Sequence, residues 1–176
     1  LGTLGCDVTD LALEDCFVSH DCALGAKGLT DLMKILDQIR VMTGALAIGL
    51  SRAALEFAVD YSKQRVCFNQ PIAKFQAIQH KLADAHVDCE ASRALVYGTG
   101  RMIERGEPCS TQACIAKLVA SEAANRIADT AGRIAAGYGY AAEFPAERFF
   151  RDARFLLIGG GTSEILRNLI AKSILE

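Results

Sequence analysis

Two periodicities divide the chain. From Leu4 to Gly25, LGCDVTDLALEDCFVSHDCALG, apolar and polar residues alternate with the two-residue period of a strand, broken at Gly5 and Gly25. One or two short strands are expected there. So few strands bury no face by themselves, so the segment either leans on the helices or belongs to a sheet whose other strands are missing, and the chain reads as a fragment. From Thr30 the period becomes helical. Leu32, Leu36, Ile39, Leu46, Leu50, Ala53, Phe57 and Tyr61 recur at three- and four-residue steps or their sums, predicting a first helix from about Thr30 to Lys63 with these residues on its buried stripe.

Gln70-Pro71 interrupts, and Phe75, Ile78, Leu82, Ala85 and Cys89 then repeat in 3,4,3,4 alternation toward Ile103, a second helix. RGEPCS supplies a turn with Ser110 as N-cap. Ala116, Val119, Ala123, Ile127, Thr130 and Ile134 form a third stripe, ending near Gly137. After Pro145 a short helix, roughly PAERFFRDAR, leads to Gly159-Gly160-Gly161, and Thr162 or Ser163 caps a last helix through about Leu175. The expected fold is all-α: an up-and-down four-helix-type bundle over residues 28–176, preceded by a short N-terminal β remnant over residues 1–27.

Composition narrows the partners. Of 176 residues 51% are hydrophobic, and 19 Lys+Arg stand against 21 Asp+Glu, so a net charge of −2 provides no field to gather nucleic acid or an anionic membrane surface. The longest uncharged run, Val41 to Leu50, is too short to cross a bilayer, and no transmembrane segment is expected. The start at Leu1, with Asp7, Asp10, Glu14 and Asp15, is unlike a basic signal peptide. Seven scattered cysteines without CxxC or cysteine–histidine spacing read as reduced thiols of a cytoplasmic protein.

Candidate chemistry is sparse. His80 with Asp84 and His86 with Glu90 are i,i+4 pairs, read as surface contacts rather than metal ligands, and no metal site is expected. No nucleophile motif supports hydrolysis. The triple glycine before a helix is either a plain capped turn, the reading that spacing favours, or a place where free N–H groups hold phosphate or a polarised oxygen. Arg65, flanked by Phe68 and Phe75 with Gln76 beside them, is either a clamp for a phosphate and a flat ring or a snorkelling arginine over an apolar corner. The block Arg151 to Arg154 reads as an intrahelical ion-pair patch.

Taken in order, LGCDVTDLALEDCFV, LDQIR, YSKQRVCFNQPIAKFQAIQHKLAD, AAGYGYAAEFPAERFFRDAR and IGGGTSEILRNLIA resemble the carboxyl-terminal half of the acyl-CoA dehydrogenase family over essentially the whole chain. The resemblance implies a flavoprotein that removes one hydrogen from each of Cα and Cβ of an acyl thioester. A carboxylate takes the α-proton, and hydride passes to FAD. It implies electron-transferring flavoprotein as acceptor in most members, and an oligomer, homomeric or heteromeric, sharing FAD between subunits. By matching position, Arg65 and Phe68 would meet the neighbouring subunit's FAD, with Gln76 near it and Arg133 to Gly137 along its adenosine side. Thr162 and Glu164 would contact the subunit's own FAD, and Asp37 and Arg40 would line the acyl-CoA channel.

The departures are informative. The family's catalytic glutamate stands either two residues before the threonine of the GT turn, here Gly160, or immediately before the arginine matching Arg40, here Ile39. Neither accepts a proton, and the identity of the catalytic base stays open; Asp37 and Glu164 are poorly placed substitutes. Asn69 replaces a usual glycine, Arg133 a usual glutamine, and Ala136 the first glycine of a pair. Three readings follow: an FAD-dependent oxidoreductase on the CH–CH group of a thioester with an unusual base; a catalytically silent subunit of a hetero-oligomer; or a bundle without flavin. The fragment alone is expected neither to retain FAD nor to turn over.

Overall fold

A computed structural model describes residues 1–6, 8–23 and 28–176, excluding the side chains of residues 29 and 30. Five helices dominate: α1 (Leu29–Gln64), α2 (Gln76–Glu104), α3 (Ser110–Ala135), α4 (Pro145–Leu156) and α5 (Ser163–Leu175). Between α1 and α2 lies a minimal hairpin, β1 (Val66–Cys67) antiparallel to β2 (Gln70–Pro71). The first four helices run up, down, up, down. Asp37 early in α1 meets Ser110 early in α3, Ala85 and Cys89 in the first half of α2 join the cluster of Ile127 and Ala131 late in α3 while Val96 further along joins that of Ala116 and Ala120, and Phe57 late in α1 meets Phe149 early in α4. This is the expected bundle, with boundaries within a residue or two.

Helix α3 is the innermost element. Ala113, Ala116, Ala120, Ala123, Ala124, Ile127, Ala128, Ala131 and Ile134 are all buried, and alanine at most contact positions lets α1 and α2 approach closely. The expected stripes of α2 and α3 hold: Ala85 and Cys89 join the core with Phe75, Ile78 and Leu82 packed on it, and Ala116, Ala123, Ile127 and Ile134 are buried. Val119 and Thr130 are half-buried.

The stripe of α1 holds at Leu50, Ala53, Phe57 and Tyr61, which pack half-buried on the core, and is corrected nearer its start. Its buried face is Asp37, Arg40, Thr43, Gly44, Ala47, Ile48, Ser51, Ala54, Ala58 and Ser62, whereas Leu32, Ile39 and Leu46 face outward with Ile35 and Met42. Close packing explains the choice. A Cβ on Gly44 would stand 2.8 Å from Val96 Cγ2, so only small residues fit between α1 and its neighbours. The hydroxyls on this face are satisfied within their own helix, Ser51 Oγ donating to Ala47 O at 2.7 Å and Thr43 Oγ1 to Ile39 O at 2.8 Å.

Three further expectations change. Among the described residues of 1–23 no strand forms; the segment is exposed apart from Gly2 and Thr3, with one 3-10 turn at His20–Cys22, because nothing is present to pair its edges. The break expected at Gly25 and the boundary at residue 27 lie outside the described residues. Ser110 is the first residue of α3 and not its N-cap; Cys109 holds that place, and Ser110 Oγ donates to Asp37 Oδ2 instead. Finally, α1 is by length and composition apolar enough to cross a membrane, with an 18-residue window of mean hydropathy 1.3. The uncharged-run argument misses this because such a window tolerates a charge or two. In this fold the helix is a strut of the bundle, its polar face closed by α3.

Candidate functional site: a pinned triple-glycine turn

Helix α4 ends at Leu156, and the chain passes through Gly159-Gly160-Gly161 into α5. Gly160 and Gly161 sit at φ +74° and +110°, where a side chain is strained, so the glycines are a backbone requirement. Thr162 caps α5, its Oγ1 accepting from Ile165 N at 3.4 Å. Two buried cations pin the turn. Arg40 Nε of α1 donates to Gly160 O at 3.4 Å, and Lys117 Nζ of α3 donates to Gly161 O at 2.7 Å.

Each cation has a distinct environment. Arg40 Nη1 pairs with Asp37 Oδ1 at 2.9 Å, and Asp37 accepts a second bond from Ser110, so α1, α3 and the turn form one buried polar network. Lys117 is fully buried and makes no ion pair among the described residues. Desolvation pushes its pKa down to about 8; Glu122 and Glu164 oppose this from a distance, and Arg40 adds to it. Sequence reasoning missed Lys117. A lone lysine inside the alanine-rich run ACIAKLVAS, where the stripe demands burial, is the signal that would have found it.

The two positions that lack an acid converge here. A Cβ built on Gly160 would lie 3.8 Å from Ile39 Cγ2, 3.8 Å from Arg40 Cα and 3.2 Å from Thr43 Oγ1. Sites far apart in sequence thus flank one point in space, and neither supplies a carboxylate. Asp37 is held on the buried side by Arg40 and Ser110, while Glu164 is exposed, 4.0 Å from Arg167 Nη1. Both remain unsuited as bases for a group beside Gly160.

The remaining candidates gather at the other end of the bundle. Arg65 follows α1 and lies 5.8 Å from the Tyr138 ring centroid; Phe68 is 89% exposed at the hairpin tip, edge-on to Phe75 at 6.2 Å. Phe68 and Asn69 form a two-residue turn with φ of +51° and +64°, the conformation that explains a glycine preference at position 69. Gln76 opens α2 and is exposed. Arg133 is engaged with Asp129 at 2.6 Å, and Gly137 lies exposed in the 3-10 turn after α3. A groove of about 820 Å³ runs between this turn and α4, lined by Arg133, Ala136, Tyr140, Phe150 and Arg151 among others. Of the patch expected in RDAR only Arg151 makes an intrahelical ion pair, to Glu147 at 2.6 Å, while Asp152 accepts from Thr3 N and Arg154 lies over the Phe150 ring. From Arg40 to Arg65 along α1 is roughly 37 Å at 1.5 Å per residue. One ligand head group therefore cannot touch both ends of a single bundle.

The profile of the acyl-CoA dehydrogenase C-terminal domain matches residues 26–175. The chain belongs to the acyl-CoA dehydrogenase family. It is similar to benzylmalonyl-CoA dehydrogenase of Aromatoleum aromaticum, 44% identical over 99% of this chain and 47% of that protein. It is also similar to the human mitochondrial short-chain specific acyl-CoA dehydrogenase, 40% identical over 100% of this chain and 43% of the relative. Among solved structures, butyryl-CoA dehydrogenase from Megasphaera elsdenii superimposes with a TM-score of 0.84 at 43% identity, covering 85% of this chain and 39% of that one. The chain thus spans under half the length of the curated relatives it matches. Acyl-CoA dehydrogenase family members are FAD flavoproteins, and the bundle described here is the family's helical C-terminal domain.

Proposed function

We propose that the complete protein is an FAD-dependent oxidoreductase acting on the CH–CH group of an acyl-CoA or related acyl thioester, with residues 28–176 as its C-terminal bundle and residues 1–27 as the end of the preceding β-domain. The observation that carries this reading is the separation of two equipped ends: a pinned glycine turn beside Asp37 and Arg40 at one, and an exposed Arg65–Phe68 corner at the other. Two copies, each offering one end, make a site that a single bundle lacks.

The residues fit the cofactor. Arg65 lies over the Tyr138 ring and pairs with no carboxylate among the described residues, and Phe68 is largely exposed with Phe75 edge-on to it, so a diphosphate and a flat ring would find a guanidinium without an anionic partner and a solvent-facing aromatic. Gln76, Arg133 and Gly137 would border the same neighbour's FAD, and Thr162 and Glu164 the subunit's own. When bound, FAD supplies the acceptor for a hydride leaving the β-carbon. Lys117 and Arg40 hold the turn rigid beside the thioester. Electron-transferring flavoprotein is the proposed acceptor, in a reducing compartment such as the cytoplasm, with α1 acting as a bundle helix and neither membrane nor nucleic acid as partner. The Aromatoleum relative is named for benzylmalonyl-CoA, a thioester carrying a carboxylate on its α-carbon, and such thioesters belong to the proposed substrate range.

The absence of an acid at both Gly160 and Ile39 favours a second reading, a silent subunit that binds FAD for a partner chain carrying the glutamate. Purified full-length protein decides. Flavin absorbance that Arg65→Ala lowers, with turnover of a thioester panel by the homomer, supports the oxidoreductase; turnover seen only after a partner chain is added supports the silent subunit; a colourless protein refutes both. These 176 residues alone are proposed neither to retain FAD nor to turn over, and tight stoichiometric flavin binding by them would refute that.

A further inference from the structure

Of residues 1–6 and 8–23, only Gly2 and Thr3 are sheltered, and what shelters them is α4. Their backbone is gripped from several directions. Thr3 N donates to Asp152 Oδ1 at 2.6 Å and Arg151 Nη1 donates to Leu1 O at 2.9 Å, while Thr3 Oγ1 donates to Gly2 O and Cys6 N to Thr3 O, each at 2.8 Å. Arg151 is itself steadied by a two-pronged pair with Glu147, at 2.6 and 2.9 Å. Gly2 lies flat on the helix: a Cβ there would run into Arg151 O and stand 2.6 Å from Asp152 N, so only glycine fits. Thr3 is held at φ +49°, a conformation that a side chain disfavours and that its contacts impose. The place of this contact matters as well. Asp152 stands between Phe149 and Ala153, which share a core cluster with Ala54 of α1, and from Ala54 back to Leu29 is roughly 37 Å at 1.5 Å per residue. The segment before α1 is thus tied to the bundle again far from the point where α1 begins. It also builds walls: Leu1 borders the groove of about 820 Å³ that Arg133 and Phe150 line, and Thr3 to Cys6 border a second cleft of about 410 Å³ that shares Arg151.

We propose that Arg151 and Asp152 form a clamp on α4 for the Leu1-Gly2-Thr3 backbone, which holds the domain carrying that segment alongside the bundle and makes it one wall of the groove beside Arg133. This rests on the reading above, in which residues 1–27 end a preceding β-domain and Arg133 borders a neighbour's FAD. One side chain donates, the next accepts, and a glycine lets the main chain come close, so the clamp recognises backbone position and not side-chain chemistry. Arg151 and Asp152 are positioning residues, acting on the cofactor through the wall they hold in place. A groove with one wall supplied by another domain is complete only while the clamp is shut. Apparent cofactor affinity then falls with the fraction of molecules in which it is open.

The test is amide hydrogen exchange on the full-length protein, paired with FAD titration of its apo form. The Thr3 amide is expected to exchange at least about tenfold faster in Asp152→Ala, the loss of one hydrogen bond to a charged acceptor. Asp152→Asn, whose Oδ1 still accepts, is expected to keep most of the protection. Arg154→Ala, which leaves the contact alone, is expected to keep all of it. Gly2→Ala opens the clamp from the other side, outside the core of the bundle, and gives the same readout if the variant at 152 fails to fold. In Asp152→Ala and Gly2→Ala the FAD dissociation constant is expected to rise about tenfold, in step with the exchange rate. Thr3 exchange as fast in the wild type as in Asp152→Ala overturns the inference, and so does a clamp that opens with FAD affinity unmoved. A wild type that takes up no FAD overturns the flavoprotein reading and the coupling with it, while Thr3 protection in that protein still decides the clamp.

Discussion

Replacing Lys117 with methionine isolates the cost of the charge that pins the glycine turn. The ammonium is fully buried and its pKa is pushed down to about 8, below the ordinary 10.5 of an unfolded chain. At about 1.4 kcal/mol per tenfold change in proton affinity, keeping it charged costs the folded state about 3 kcal/mol. The sign follows from proton counting. Between pH 8 and 10.5 the unfolded chain holds a proton that the folded chain has released, so stability rises with pH across that window and is flat below it. The wild type is therefore expected to gain about 1.4 kcal/mol between pH 7 and pH 9 relative to Lys117→Met, in which that linkage is absent. Glu122, Arg40 and Glu164, which face the amine, are present in both proteins and cancel in the comparison. Urea denaturation at the two pH values reads the difference directly. Parallel stability changes in the two proteins would show that the amine is hydrated in solution and that its bond to Gly161 O is not the buried contact described.

Ala136 ends α3 at φ +53°, ψ −125°, a region suited to glycine, so Ala136→Gly is expected to raise stability by about 1 kcal/mol, seen as a higher Tm. Asp37→Asn leaves the buried Arg40 guanidinium without its anionic partner and is expected to cost about 3 kcal/mol in denaturant titration at pH 7; a loss under 1 kcal/mol would mean that Arg40 reaches water. Gly44→Ala drives a Cβ to 2.8 Å from Val96 Cγ2 and is expected to cost about 1–3 kcal/mol, relieved in the double variant with Val96→Ala; additive losses would refute direct contact.

How much the sequence discloses depends on what each face has to do. In α2 and α3 the buried stripe carries the apolar residues themselves, Cys89 or Ile127 for example, so periodicity finds it. Early in α1 the tightest contact requires Gly44 and Ala47, and Leu32, Ile39 and Leu46 are left on the outside, so a hydrophobicity pattern selects the wrong face there, whereas Leu50, Ala53, Phe57 and Tyr61 further along do pack on the core. The hairpin at 66–71 has two residues per strand, too few for any alternation to register. The strands expected before residue 25 fail for the opposite reason: the alternation is present, but a strand without neighbours has no ladder to join. At the site, the glycines, Thr162 and Arg40 are legible from spacing and resemblance. Lys117 is not, because the predicted stripe runs through Ala116 and Val119 and passes it by, leaving only its lone place in the alanine-rich run as a signal. Only the distance to Gly161 O gives it a role.

The exposed residues of α1 are not scattered. Leu32, Ile35, Ile39, Met42 and Leu46 follow one another at steps of three, four, three and four, the spacing of a packing seam, and all are solvent-facing in the isolated bundle. Ile39 belongs to that seam and also borders the Cβ-free face of Gly160. A surface that covers the seam therefore also dries the space beside the glycine turn. Ile39 therefore couples the cover of the seam to the dryness of the space beside Gly160 through a single side chain. The coupling has a direction: shortening Ile39 to alanine removes apolar cover from both places at once, whereas Leu32→Ala thins the seam alone. Equal effects of the two changes on thioester chemistry would separate the seam from the site.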